Sequence, residues 1–98
     1  MSTHVLDTAA GIPAAGLRVT LLARSEGGDW RPLASGDTDA DGRLNDLPHI
    51  EPGLHRLWFE TSSSFFPEVI ITFTVGDEEH LHVPLLLSPY GYTTYRGS

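Results

Sequence analysis

Residues 69–75 read VIITFTV, and residues 17–23 read LRVTLLA. Both alternate with a period of two. Val69, Ile71, Phe73 and Val75 fall on one side of the first run, and Leu17, Val19 and Leu21 on one side of the second. Successive side chains of a strand point to opposite faces, so this spacing builds one apolar face on a strand and scatters it around a helix. The residues are also β-branched or aromatic, the types that fit a pleated surface. LHRLWFE (54–60), DWRPLASG (29–36), HLHVPLLL (80–87) and YGYTTYR (90–96) read as further strands, with shorter pieces at HVLDT (4–8) and RLNDL (43–47). AAGIPAAG, SEGG, DADG, EPG, VGDEE and SPYG punctuate them at short intervals. Short strands separated by such turns predict an all-β sandwich or barrel. No window predicts a helix, and in SSSFFPE (62–68) Pro67 leaves little room for one. A chain of 98 residues is expected to form a single domain over 1–98.

Composition narrows the partners. The chain is 40% hydrophobic and 19% charged, which favours folding over disorder. Thirteen acidic residues against six basic ones give a formal charge of −7. With no basic patch, neither nucleic acid nor an anionic membrane is an expected partner. Cysteine is absent, so no disulfide holds the fold and a reducing compartment suits it. No apolar run is long enough to span a bilayer and no signal peptide is read, which leads to the expectation of a soluble cytoplasmic protein.

Residues 37–43, DTDADGR, start like a calcium loop. Such a loop needs a carboxylate at its twelfth position, and counting from Asp37 that place is Pro48. The alternative is a hairpin turn at Asp41-Gly42, with Arg43 opening the returning strand. Arg43 is then either an ordinary solvated charge or a guanidinium held at a defined place. His80 and His82 share one face of their strand, opposite Leu81, Val83, Leu85 and Leu87. That face also carries Pro84 and Leu86, an unusual set for open solvent. The run Leu85-Leu86-Leu87 is apolar on both sides, which implies cover on both faces, the second sheet on one and another copy of the chain on the other. His-x-His is also a zinc-ligand spacing, so His4, His80 and His82 are weighed as a metal set against a solvated or core-satisfied pair. His49 and His55 have no partner pattern. The terminal Tyr95-Arg96-Gly97-Ser98 reads either as a polar tail or as donors for a planar, polar ligand.

Three stretches taken together, STHVLDTAAGIPAAGLRVTL (2–21), DTDADGRLNDL (37–47) and HLHVPLLLSPYGYTTYRGS (80–98), resemble the transthyretin-related 5-hydroxyisourate hydrolases. The YRGS terminus is the most specific of the shared motifs, since the carrier transthyretin has the fold without it. The resemblance implies a β-sandwich of two four-stranded sheets, assembled as a homotetramer, a dimer of dimers with active sites between subunits. It implies hydrolysis of 5-hydroxyisourate, a small-molecule substrate formed by urate oxidation, through attack of water on a ring lactam without a cofactor or metal. His4, Arg43 and His82 are the implied catalytic residues. His4, Arg43, Tyr95, Arg96, Gly97 and Ser98 are the implied substrate contacts. The family's short helix has no room in ETSSSFFPEV (60–69) and is expected to be reduced or missing. The alternative reading is a non-catalytic, transthyretin-like binder of small ligands.

Overall fold

A computed structural model describes residues 1–63, 65–77 and 80–97. Among these residues nine strands occur and no helix: β1 Thr3–Asp7, β2 Ile12–Pro13, β3 Arg18–Arg24, β4 Trp30–Asp37, β5 Arg43–Leu44, β6 Gly53–Glu60, β7 Val69–Val75, β8 Leu85–Ser88 and β9 Gly91–Thr94. They form two sheets, so the all-β sandwich expected from the alternation is what the chain adopts. None of the described residues forms a helix long and apolar enough to cross a membrane.

One sheet is a regular antiparallel ladder in the order β4-β3-β6-β7. Its registers run unbroken from Arg18↔Glu60 to Ala23↔His55 and from Gly53↔Val75 to Phe59↔Val69. The edge strand β4 carries Pro32, which donates no ladder hydrogen bond, and the register shifts beside it between Leu21 and Leu22. The other sheet has the order β2-β1-β8-β9, with β5 also on β1. β1 runs parallel to β8 and antiparallel to β2 and β5. Its strands are short, two to five residues each.

The core is the space between the sheets. The inward residues Val19, Leu21, Leu57 and Phe59 of the ladder, and Val5 and Leu85 of the other sheet, lose all solvent exposure. Each contributes about 1.5–3 kcal/mol by leaving water. Val69, Val75, Leu17, Leu44, Leu47, Ile50 and Val83 complete the same cluster.

Three expectations change in detail. The run 80–87 is strand only from Leu85. Pro84 has no N–H to give a ladder, and His82 is held instead by isolated bridges to Ser2 and Gly97. The turn at Asp41-Gly42 does not fold Arg43 back onto β4. The chain crosses to the other sheet there, and β5 pairs β1. A two-residue β2 joins the sheet edge as well, giving that sheet a fifth short strand. Among the described residues between β6 and β7 no helix forms. The Thr61 hydroxyl donates to the Phe66 carbonyl, and Phe65 and Phe66 pack edge-on against Tyr90 and Tyr92.

Candidate active site

β1 alternates buried and half-buried residues. Thr3 and Val5 enter the core, so His4 between them faces out. The β1–β5 register sets His4 directly across from Arg43. The turn before Arg43 is rigid for local reasons. The Asp39 carboxylate accepts the backbone N–H of Asp41 at 2.9 Å and of Arg43 at 3.0 Å. Gly42 adopts φ +75° with its α-carbon against the Val5 carbonyl, where a side chain would collide. The Asp41-Gly42 loop is therefore a structural turn, and the Asp39 carboxylate is already committed to the backbone. It fixes Arg43, and it also presents the Asp41 carbonyl 2.8 Å from Nε2 of His4. A carbonyl only accepts, so His4 donates from Nε2 and its proton is placed there.

His82 arrives from the opposite edge. Ser2 donates its backbone N–H to the Leu81 carbonyl at 3.0 Å, and Val83 donates to the Ser2 carbonyl at 3.1 Å. Ser2 thus brackets His82, and its hydroxyl lies 2.8 Å from Nδ1 of the ring. On the other side the Gly97 N–H donates to the His82 carbonyl at 2.7 Å. A methyl group at position 97 would stand 2.6 Å from Cδ2 of the ring. Only glycine allows the tail to lie this close. Burial, then the Arg43 charge, then His4 lower the pKa of His82 below the ordinary histidine value, against a smaller opposing pull from the Ser2 backbone. The ring is therefore neutral at neutral pH and able to accept a proton.

The structure brings together four of the residues picked out in the sequence, His4, Arg43, His82 and Gly97. Arg43 and His82 line an open depression of about 470 Å³, with Met1, Ser2, Asn45, His80 and Leu81 around it. Tyr95 and Arg96 border a second, more apolar hollow of about 240 Å³, shared with Ile71, Phe73 and Val83, and Leu81 lines both. Ser98 lies outside the described residues. Among the described residues no three His, Asp or Glu side chains stand together in a way that would hold a metal ion, His4, His80 and His82 included. His49 is exposed, and His55 is a core residue that lies against Phe73 with Nδ1 on the Gly53 carbonyl at 3.2 Å. Two contributors have no signature in the sequence, the Ser2 hydroxyl and the Asp41 carbonyl. Finding Ser2 needs the parallel register of residues 2–7 against 82–87, which no local pattern encodes.

The family model that describes the HIUase/Transthyretin family matches residues 1–97. A 5-hydroxyisourate hydrolase of Mus musculus is 45% identical, in an alignment covering all of this chain and 94% of the mouse protein. Among solved structures, the 5-hydroxyisourate hydrolase of Klebsiella pneumoniae superposes with a TM-score of 0.82 at 37% identity, covering 99% of this chain and 97% of the other. Sea bream transthyretin in complex with thyroxine superposes with a TM-score of 0.91 at 28% identity, covering 98% of this chain and 92% of the other. The sandwich alone does not separate the two kinds of relative. The likeness in sequence is greater to the hydrolases.

Proposed function

The chain belongs to the HIUase/Transthyretin family, and from that premise we propose that it is the family's hydrolase, opening the ring of 5-hydroxyisourate with water in urate breakdown. The observation that carries this reading is the meeting of His4, Arg43, His82 and Gly97, residues from four separate parts of the chain, around the start of β1.

Ring opening needs water activated, negative charge on oxygen stabilised, and a proton delivered to the departing nitrogen. A neutral imidazole near its working pH serves the first and third tasks. In our reading His4 and His82 form the pair that takes a proton from water and returns one to nitrogen as the C–N bond breaks. Arg43 keeps its charge and offers a planar fork of donors to the substrate oxygen. Tyr95, Arg96 and Gly97 close the site around the flat substrate, and Ser98 is assigned as a further substrate contact from the motif alone. The sequence carries no cysteine and no G-x-S-x-G nucleophile motif, and direct attack by water is the simpler course.

The domain we assign is one unit over 1–98, working in the cytoplasm as a dimer of dimers with active sites between subunits. Two features favour such an assembly. β7 and β9 are the outer strands of their sheets, and both border the apolar hollow beside Tyr95. Ile70 and Tyr92 on these strands are 46% and 45% exposed. Unpaired edges with apolar residues are surfaces that a second copy would cover.

The test is a spectrophotometric one. 5-Hydroxyisourate is generated from urate in the cuvette and its decay followed with and without the protein. The hydrolase accelerates the decay in proportion to its concentration. A transthyretin-like carrier, which the close superposition on the thyroxine-bound structure keeps in view, leaves the rate unchanged.

A further inference from the structure

We propose that Ser2 is a positioning residue that holds His82 as the Nδ1–H tautomer, leaving Nε2 unprotonated toward the cleft. The inference rests on the hydrolase reading for its consequence and on geometry for its content.

The hydroxyl is placed by the backbone and not by rotamer choice alone. Ser2 and His82 face each other in a parallel bridge, and the hydrogen bonds from Ser2 N to Leu81 O and from Val83 N to Ser2 O bracket the histidine. The Ser2 oxygen therefore meets Nδ1 at 2.8 Å in a half-buried setting. A turn of the ring by half a revolution would exchange Nδ1 with Cδ2. It would put a carbon against the hydroxyl and Nδ1 against the tight contact at Gly97, losing the hydrogen bond.

The hydroxyl can accept from a protonated Nδ1 or donate to a bare one. In the proposal it accepts, which is the direction that leaves Nε2 free to act as a base. Arg43 and His4 face the same ring and oppose a second proton on it, and His80 lines the depression beside it. A singly protonated ring with its proton on Nδ1 keeps its lone pair on Nε2. An imidazole side chain free in water prefers the opposite tautomer, so without the serine the working nitrogen would carry the proton. The bond made by one ring nitrogen sets the state of the other.

The measurement is a two-bond proton–nitrogen correlation spectrum of the full chain labelled with nitrogen-15 in histidine, taken at neutral pH. His82 is identified by its loss in His82→Gln. The wild type is expected to show His82 with a protonated Nδ1 and a bare Nε2. Ser2→Thr keeps that pattern. Ser2→Val, similar in size but without the hydroxyl, shifts it toward protonated Nε2. In the decay assay Ser2→Val lowers kcat about 10–100-fold, the cost typical of losing an orienting partner, with little change in KM, and Ser2→Thr recovers most of the loss. A wild-type His82 protonated on Nε2 overturns the proposal. So does a folded Ser2→Val chain that keeps both the tautomer and the turnover. A wild type with the expected tautomer but no effect on 5-hydroxyisourate overturns the proposed function and upholds the positioning.

Discussion

The two sheets of this sandwich are built to different standards. The β4-β3-β6-β7 sheet has strands of seven or eight residues paired in long registers. The sheet around β1 and β8 is made of pieces of two to five residues, a parallel pairing, and bridges that involve single residues. Every candidate catalytic residue sits on the second sheet or at its edge. A full ladder consumes most of its backbone groups on neighbouring strands and leaves few to aim at a side chain. The broken sheet frees the Asp41 carbonyl for His4 and lets Ser2 and Gly97 flank His82. Regularity holds this fold together, and interruption supplies its site.

The largest effect that can break this contrast lies in the ladder. Phe59 is fully buried on β6. Phe59→Ala is expected to cost about 3–5 kcal/mol of stability in urea unfolding, and activity should be lost only to the extent that the chain unfolds. A well-folded but inactive Phe59→Ala protein would mean that the regular sheet serves the chemistry directly.

Arg43→Lys should do the reverse. It keeps the charge and removes the fork, so turnover should fall about 100–1,000-fold, the range for losing a donor to a developing oxyanion, at an unchanged unfolding midpoint. Full activity with lysine would reduce Arg43 to a point charge.

Gly97→Ala tests how tightly the tail is fitted. The added methyl must push the His82 ring aside. A displacement of about 1 Å in a reacting group costs on the order of 100-fold in rate, so a loss of that order is expected in kcat. Wild-type turnover would show that the tail has slack against the ring.

The smallest effect is electrostatic. With its pKa lowered in the folded chain, His82 should titrate below the ordinary value of about 6.5. Above that value the ring is neutral in both folded and unfolded chains. As pH falls below it, the unfolded chain takes up the proton first. Stability therefore declines, and levels off only below the folded pKa. Arg43→Gln removes the Arg43 charge, so its His82 should titrate nearer the ordinary value. An NMR titration that finds no difference from the wild type would remove Arg43 from that balance.

The same contrast explains what the sequence disclosed. Val69, Ile71, Phe73 and Val75 alternate because their strand lies in a long ladder with one face in the core. Such a strand can be read from its own residues. Pro84 already marks a break in the last apolar run, yet the bridge partners of His82 lie at positions 2 and 97. Those distances belong to topology and leave no local trace. Arg43 was legible as the residue after a turn, but its partner was not. The turn changes sheets, and only the β1–β5 register sets it opposite His4. His4, Arg43, His82 and the tail entered through the likeness of their motifs to a family, while composition and spacing alone left each of them open to an ordinary reading. Ser2 was silent, since a serine near the start of a chain has no pattern to distinguish it.

The central claim is that the broken sheet can lose its chemistry while the ladder keeps the fold. Turnover of 5-hydroxyisourate by His82→Ala, with urea unfolding measured on the same sample, tests it most directly. The account predicts a wild-type unfolding midpoint with turnover reduced at least about 100-fold, the loss of a general base. A folded His82→Ala chain that turns over substrate close to the wild-type rate would contradict it.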